Sequence, residues 1–249
     1  MTSALLCLTL AFQVTSPADD ATRASGPSAA EVVSKMFNRY FESKSTVATI
    51  QFVQSVSNIA VQTDTVLQFD APSKVYIRQV RRSLTSPAES LVTSNGTHFS
   101  YNPPEVAFQA KGQERLIESV VQQGKALGVR EIYSASSASL IDRSVPMDII
   151  FGRLEDLKYM RLQWASVGFT RSPNQDGDYA IGGDWREYGA APVAGKYELV
   201  IGKDYEIKRY SVRETLGFEN QVAGEVVSTW NVVSKTNSAG DAKLYTLVR

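Results

Sequence analysis

The chain has 249 residues, 43% of them hydrophobic and 21% charged, and its 26 Lys and Arg residues balance 26 Asp and Glu residues. This composition is typical of a globular protein, and the charge balance argues against a general nucleic-acid binder, although it leaves room for a local basic patch. A single histidine and a single cysteine exclude the usual zinc sites and a disulfide framework. We therefore expect no metal, no cofactor and no nucleic-acid partner.

The amino terminus has the pattern of a secretory leader. Residues 4–14 form an apolar run too short to span a bilayer, and Ser16 and Ala18 are small residues at the positions that signal peptidase inspects. No Lys or Arg precedes the run, and a buried amino-terminal strand or helix is the alternative interpretation. Cleavage after Ala18 would remove Cys7, the single cysteine. We predict a cleavable signal peptide over 1–18, a flexible spacer over 19–30 and a single domain over 31–249.

The first element of that domain is predicted to be a helix over residues 29–43. Ser28 is the expected N-cap, and Glu31 three residues later completes a capping box. The apolar residues recur at helical spacing and form one wide stripe: Val32, Val33, Met36, Phe37, Tyr40 and Phe41.

After this helix, apolar residues recur at every second position instead of at helical spacing. Apolar and polar residues alternate, as they do in antiparallel strands with one apolar face. Asn95-Gly96 and Asn102-Pro103-Pro104 read as turns. The predicted meander has six strands, over 46–57, 59–69, 74–82, 89–94, 97–102 and 105–110.

The period changes again over residues 112–128, where the apolar residues suit a helix that ends at Gly124 and Gly128. A second helical segment is expected after Pro146, with Met147, Ile150, Phe151, Leu154 and Leu157 on one face. Strands are then predicted over 160–169, 178–183, 196–202, 205–215, 225–234 and 242–248. This order predicts an α+β fold, a curved antiparallel sheet that forms an unclosed β-barrel with helices covering its concave face.

A search for catalytic chemistry finds little. His98 follows the Asn-Gly turn, and no Gly-x-Ser-x-Gly motif presents a nucleophile to it, so we interpret it as incidental, on the face of its strand opposite Phe99 and Tyr101. The stretch 176–178 reads as a polar turn rather than a calcium loop. The pair Arg81-Arg82 is compatible either with contact to an anionic head group or with a solvated strand end. No catalytic residue is predicted, and we expect a protein that is not an enzyme.

Aromatic residues are the remaining signal. They are spaced along the first meander, and they could form the core under the helices or line a cavity for an apolar guest. Each methylene of such a guest would contribute about 0.8 kcal/mol when buried. The candidate ligand-binding residues are Phe52, Phe69, Tyr76, Phe99, Tyr101 and Phe108.

Two phrases in the sequence carry a family resemblance. Phe69-Asp-Ala-Pro-Ser-Lys74 followed by Arg78, and Asn95-Gly96 followed by Phe99, Tyr101 and Pro103, resemble the LolA-like periplasmic lipoprotein-carrier superfamily and within it an uncharacterised LolA-like group. The resemblance implies an unclosed barrel with a helical lid over a hydrophobic cavity.

What the resemblance implies about function is a periplasmic carrier without catalytic residues. Its ligand would be a lipid or the acyl chain of a lipoprotein, and a membrane-bound delivery partner is possible. The alternative is an envelope-stress sensor or protein-interaction module of the same fold.

Overall fold

The computed structural model describes residues 26–56, 59–82, 87–101, 116–137, 141, 143–153, 168–171, 173–186, 194–218 and 221–247. The helices are α1 (Ala29–Glu42), α2 (Val129–Ser137) and α3 (Val145–Ile150), with a 3-10 helix at Ala242–Tyr245. The strands of the first half are β1 (Ser45–Val56), β2 (Ile59–Asp70), β3 (Lys74–Arg82), β4 (Pro87–Asn95), β5 (His98–Tyr101), β6 (Leu116–Ser119), β7 (Val121–Gln122) and β8 (Lys125–Ala126). Those of the second half are β9 (Gly168–Arg171), β10 (Tyr179–Arg186), β11 (Ala194–Ile201), β12 (Ile207–Phe218) and β13 (Gln221–Thr236).

One large sheet organises the chain. It has 11 strands in the order β6-β5-β4-β3-β2-β1-β13-β12-β11-β10-β9, and neighbouring strands are antiparallel. Among the described residues β6 and β9 stand at opposite edges and do not pair, so the sheet is unclosed. The two halves of the chain meet at its centre, where β1 pairs with β13. Strands β7 and β8 form a separate hairpin.

Alternation along the strands gives the sheet two different faces. In β2, Leu67 and Phe69 are buried, whereas Val66 between them is 38% exposed. We call the face that carries Leu67 and Phe69 the inner face and the other the outer face. All three helices contribute buried residues to the cluster that contains the inner-face side chains, so the core lies between the helices and the inner face. The predicted fold class, an unclosed antiparallel sheet with helices on one face, is confirmed.

Helix α1 forms where the sequence predicts it. The Ser28 hydroxyl accepts from the Glu31 N–H, and the Glu31 carboxylate accepts from the Ser28 N–H at 2.7 Å, which completes the predicted capping box. Most of the apolar stripe faces the core and leaves Val32 and Met36 fully buried, whereas Phe41 is 50% exposed. Each such side chain contributes about 1.5–3 kcal/mol to stability.

Hydrogen bonds at Tyr40 and at Glu206 hold the end of α1 against the second half of the chain. The buried Tyr40 hydroxyl lies 2.5 Å from the Ser234 Oγ and accepts from the Ile207 N–H at 3.1 Å. The nearby Glu206 carboxylate accepts from Arg39 at 3.0 Å and from both the N–H and the hydroxyl of Thr236 at 2.8 Å. Because these bonds join residues far apart in sequence, they hold the helix in one position on the sheet.

The helices α2 and α3 lie beside α1 as part of the same layer. Tyr133 of α2 stacks on Phe151, which caps α3, with ring centroids 4.2 Å apart. Arg130 joins the three helices, since its guanidinium lies over the Phe41 ring and donates to the carbonyls of Phe41 at 2.6 Å and Phe151 at 3.2 Å. Burial lowers the pKa of Arg130.

The central helices are where the sequence prediction is partly wrong. No helix forms over the described part of 112–128, which instead contains β6, β7 and β8. Leu116 and Ile117 pair with β5 and remain about half exposed. The true helix α2 begins after the predicted one ends. The helix predicted after Pro146 is confirmed as α3, although Leu154 and Leu157 lie outside the described residues.

The predicted turn at Asn95-Gly96 is confirmed. Gly96 has φ +95°, and the Asn95 side-chain oxygen accepts from the N–H groups of Thr97 and His98 at 2.9 Å. His98 is exposed and Phe99 is buried, as the alternation predicts. The strand predicted over 105–110 and most of that predicted over 160–169 lie outside the described residues.

The carboxyl-terminal segment packs on the outer face. Gln68, whose side chain is buried there, donates to the Asp241 carbonyl at 2.7 Å and accepts from the Asp241 N–H at 2.9 Å. The following 3-10 helix contacts β3 and β4 and buries Tyr245. The strand predicted over 242–248 is therefore wrong, because this segment is held by side-chain contacts rather than by strand pairing. Nowhere in the described ranges does a helix have the length and apolar character needed to cross a membrane.

Candidate functional site

A cavity of about 480 Å³ lies on the inner face, beneath the segment that precedes α3. Four adjacent strands, β3, β2, β1 and β13, form its floor, and Arg143 and Ser144 line it from the helical side. This volume is within the range of about 300–1,000 Å³ typical of ligand sites. The lining residues are Ile50, Phe52, Gln54, Val61, Thr63, Thr65, Gln79, Arg81, Arg143, Ser144 and Trp230.

Strand register places four of these residues in one row across the sheet. Arg81 pairs with Thr63, Thr63 pairs with Phe52, and Phe52 pairs with Trp230. Since neighbouring strands lie about 4.8 Å apart, the row spans about 14 Å from Arg81 to Trp230. It runs from a cationic side chain through a hydroxyl to two aromatic rings, so the cavity has a polar end and an aromatic end.

The aromatic end is a stacked group. The rings of Phe52 and Trp230 are 4.7 Å apart, and Tyr210 of the next strand lies 5.2 Å from Trp230. Tyr210 is buried, and burial raises the pKa of its hydroxyl well above its ordinary value. Stacked aromatic pairs of this kind present a wide apolar surface with restricted rotamers, which suits contact with an acyl chain.

The polar end is held by a buried carboxylate. The Asp148 side chain is 0% exposed, and one of its oxygens accepts from Arg143 at 2.8 Å and from the Tyr133 hydroxyl at 3.0 Å. Burial, followed by the charge of Asp148, raises the pKa of Tyr133, which therefore remains a hydrogen-bond donor at neutral pH. These contacts fix the guanidinium of Arg143 at the cavity wall.

The remaining polar lining comes from Gln54 of β1 and from the ends of β2 and β3. Thr63 is only 3% exposed, and within the described part of the chain its hydroxyl oxygen has no hydrogen-bond partner. Gln79 lies one row away, opposite Thr65. Arg81 is exposed at the mouth, whereas its neighbour Arg82 points to the outer face and pairs with Asp64 at 3.1 Å. The two arginines that the sequence presents as one pair thus have different surroundings.

The six aromatic residues proposed from the sequence do not gather in this cavity. Phe52 lines it. Phe69 and Phe99 are buried in the core, where Phe69 packs on Phe151 with centroids 5.4 Å apart, and Tyr101 stacks half-buried on Phe99. Tyr76 lies on the outer face of β3, which the 3-10 helix contacts. Phe108 lies outside the described residues.

The sequence interpretation missed most of the site. Trp230 carried a usable signal, because the alternation of β13 places it on the same face as the buried Ser228 and Val232. Arg143 carried none, since it lies outside any regular element and is positioned at the cavity by tertiary contacts such as that with Asp148. Its role depends on tertiary structure.

The described residues contain no group of three or more His, Cys, Asp or Glu side chains arranged to hold a metal ion. His98 is exposed, and its ring contacts the Thr97 hydroxyl at 3.2 Å. Residues 174–178 form a turn in which the Asp178 N–H donates to the Asn174 side chain at 2.8 Å, and the Asp178 carboxylate pairs with Lys208 at 2.7 Å. The predicted polar turn is confirmed.

No family model matches the chain, and no curated protein matches it. Among the solved structures that the chain matches is LprF from Mycobacterium bovis, with 10% identity, a TM-score of 0.38, and coverage of 86% of this chain and 95% of that one. The lipoprotein LppX from Mycobacterium tuberculosis has 9% identity and a TM-score of 0.39, over 88% of this chain and 100% of that one. A LolA superfamily protein from Nitrosomonas europaea has 9% identity and a TM-score of 0.31, over 89% and 99% of the two chains. The chain's own strand order and helix-covered face agree with the fold class predicted from the sequence, an unclosed antiparallel sheet with helices on one face.

Proposed function

We propose that this protein binds a lipid, or the acyl chain of a lipidated polypeptide, reversibly in the inner-face cavity. The observation that supports the proposal most directly is the stacked pair Phe52–Trp230 within a cavity of about 480 Å³. Ile50 and Val61 extend the apolar surface on either side of this pair. An acyl chain needs such a surface and needs no catalytic group.

The expected binding energy is adequate for a carrier. Ten buried methylenes would contribute about 8 kcal/mol, from which the cost of association is subtracted. The net affinity is then moderate, and a carrier must also release its ligand. Movement of the segment around Arg143 and Ser144, which covers the cavity from the helical side, would admit and release the chain.

We propose a function without catalysis and without a cofactor. The lining side chains include threonine and serine hydroxyls and two guanidinium groups, but none of those described is a histidine, a cysteine or a carboxylate that could act as a general base. Binding and release would then be the whole activity.

The proposed location is the periplasm, with residues 1–18 as a cleaved signal peptide, 19–30 as a spacer and 31–249 as one domain. The support is the apolar run and the small residues at 16 and 18. Delivery of a ligand there would involve a membrane-bound partner. A lipid that occupied more of the inner face than the present cavity would also contact Phe69, Phe99 and Tyr101, and for these residues, for Tyr76 and for Phe108 ligand contact stays a prediction.

The test is lipid extraction from the full chain expressed in a bacterial host with its own amino terminus, followed by mass spectrometry. Val61→Trp fills the cavity and should lower the amount of bound lipid at least about tenfold. Val66→Trp is the matched control, because Val66 is on the same strand but on the outer face and is 38% exposed. The intact mass of the purified protein reports cleavage after Ala18 in the same experiment.

Two results would count against the proposal. Wild-type protein that carries no lipid and binds no added acyl compound is not a carrier of this kind. Equal lipid content in the Val61→Trp and Val66→Trp proteins would place any binding outside this cavity.

A further inference from the structure

We infer that the ligand is an amphiphile with a single unbranched chain of about 12 carbons, and that the Tyr210 ring sets this length by closing the cavity at its buried end. This inference rests on the proposed function and deepens it by naming the class of ligand and a residue that determines specificity. It distinguishes a single-chain ligand of limited length from a lipid with several chains or with a longer one.

The Tyr210 side chain forms the wall of the cavity on the β12 side. Tyr210 pairs with Trp230 in the strand register, and the centroids of their rings lie 5.2 Å apart. Trp230 lines the cavity and is partly exposed. Tyr210 is 2% exposed and belongs to the hydrophobic core, at the place where α3 contacts β12. The open space therefore ends at the boundary between these two rings.

Packed side chains support this wall from behind. The partner of Tyr210 on β11 is the buried residue Leu199, and the buried Tyr197 ring lies 6.3 Å from the Tyr210 ring, centroid to centroid. Tyr197 in turn packs on the backbone of β10, where a Cβ atom at Gly183 would lie only 2.8 Å from the tyrosine ring. Because close-packed side chains have few alternative positions, the Tyr210 ring is held where it is.

The apolar surface in front of the wall is wide enough for one chain. It consists mainly of the Phe52 and Trp230 rings, which stack with their centroids 4.7 Å apart. On one side of this pair, Ile50 is buried in the core. On the other side, the Gln54 amide donates to the Ser228 hydroxyl at 3.1 Å. A second acyl chain beside the first would lie on these polar groups, which contribute little to the burial of apolar surface.

The cross-strand row gives the orientation and the length of the chain. Arg81 is exposed at one end of the row, so a polar head group stays hydrated there, whereas it would lose its hydration beside the buried Tyr210. The distance from Arg81 to Trp230 is about 14 Å, from three strand spacings. An extended hydrocarbon advances about 1.25 Å per bond, from a C–C length of about 1.5 Å and an angle of about 111°. A chain of about 12 carbons therefore reaches from the exposed end to the Tyr210 wall.

The experiment measures, by isothermal titration calorimetry, the affinity of the purified and delipidated full chain for straight-chain fatty acids. The series consists of octanoate, decanoate, dodecanoate, tetradecanoate and hexadecanoate, so the head group stays constant and only the length varies. Up to dodecanoate, each added methylene should raise the affinity about fourfold, because it becomes buried. Further methylenes find no space, so tetradecanoate and hexadecanoate should bind with an affinity within about threefold of that of dodecanoate.

Variants assign the length limit to the Tyr210 ring. Tyr210→Ala opens space behind Trp230, so tetradecanoate should bind to it at least about tenfold more tightly than dodecanoate. Tyr210→Phe keeps the ring and removes a hydroxyl that has no hydrogen-bond partner in the described part of the chain, so its limit should stay at dodecanoate. Tyr197→Ala is the matched control, because it removes the same kind of ring one strand further from the cavity and leaves Tyr210 in place.

Circular dichroism shows whether each variant is folded. If Tyr210→Ala does not fold, Tyr210→Leu replaces it in the titrations. Leucine fills more of the space than alanine does, so in this variant tetradecanoate should bind about fourfold more tightly than dodecanoate. The wild-type series tests the length limit without any variant.

The outcomes separate the length limit from the function on which it rests. An affinity that keeps rising to hexadecanoate in the wild type would overturn the limit, while the proposed carrier function stands. A limit that stays at dodecanoate in a folded variant without the Tyr210 ring, or that shifts equally in Tyr197→Ala, would overturn the assignment to Tyr210. If no fatty acid of the series bound to the wild type, both the inference and the proposed function would be wrong.

Discussion

Replacing Tyr40 by phenylalanine tests how α1 is held on the sheet. The Tyr40 ring is 1% exposed, and its hydroxyl contacts the Ser234 Oγ at 2.5 Å and accepts from the Ile207 N–H at 3.1 Å. The substitution removes one oxygen and preserves the ring, so it removes the two hydrogen bonds without opening a large cavity.

The expected loss of stability follows from the two hydrogen-bond partners of the Tyr40 hydroxyl. The Ile207 residue is 0% exposed, and an amide left without an acceptor there costs about 1–3 kcal/mol. Loss of the bond to Ser234 adds about 0.5–1.5 kcal/mol. We therefore expect Tyr40→Phe to lower the free energy of unfolding by about 2–4 kcal/mol.

The assay is urea denaturation followed by circular dichroism. The midpoint should fall while the dependence of the free energy on urea concentration stays constant, which is the signature of a change in stability alone. Tyr205→Phe is the matched control, because that hydroxyl has a single exposed contact, with Lys35 at 3.4 Å, and should change stability by less than about 0.5 kcal/mol. A loss below about 0.5 kcal/mol in Tyr40→Phe, or an equal loss in both variants, would refute the anchoring role.

Three further predictions concern stability. Asp148→Asn removes the buried partner of Arg143 and should cost about 3 kcal/mol in urea denaturation; a loss under about 1 kcal/mol would contradict the role of this pair at the cavity wall. Ser28→Ala breaks the capping box with Glu31 and should cost about 1 kcal/mol by the same measurement, and an unchanged midpoint would show that the cap contributes nothing. Burial, followed by the nearby charge of an aspartate, raises the pKa of Tyr245 to about 12, whereas an unfolded tyrosine loses its proton near pH 10. Between these two pH values the folded state therefore binds more protons than the unfolded state. The contribution of Tyr245 to stability is complete below about pH 10 and is lost as the pH rises to about 12. A urea midpoint that stayed constant across this range would contradict the raised pKa of Tyr245.

The elements that the sequence predicted well are those whose signals are local. For α1, the apolar spacing and the Ser28–Glu31 capping box lie within the helix itself. For the first strands, the alternation is long enough to define the two faces, and Asn95-Gly96 encodes its own turn through an amide side chain and a glycine at positive φ.

The failures arise where a tertiary contact decides the structure. The apolar spacing of Leu116, Ile117 and Val120 suits a helix, but pairing with β5 holds the first two in an edge strand with their side chains exposed. Gly124, at φ +77°, lies in the turn of the β7–β8 hairpin and does not end a helix. The β-branched character of Ile117 and Val120 was a signal in favour of a strand.

The sequence predicted that the protein could have an apolar cavity, but it did not identify most of the residues that line it. Phe52 was recognised because it alternates within β1, but its neighbours Thr63 and Trp230 are set by strand register. Register between distant strands depends on the whole sheet and has no short sequence signature. A search based on aromatic residues does not find polar lining residues such as Arg143.

The central pairing of β1 with β13 has a consequence for how the protein acquires its activity. Phe52 and Trp230 come from the first and second halves of the chain, so the stack between them forms only when β1 has paired with the distant strand β13. Closing a long loop carries an entropic cost, and sheets with such distant pairings fold slowly. A partly synthesised chain would therefore lack the cavity, and under the proposed function it would not capture a lipid before the sheet is complete. A ligand bound in the cavity as proposed would lie across this pair of strands, and at a concentration 100 times its Kd it would stabilise the folded protein by about 2.7 kcal/mol.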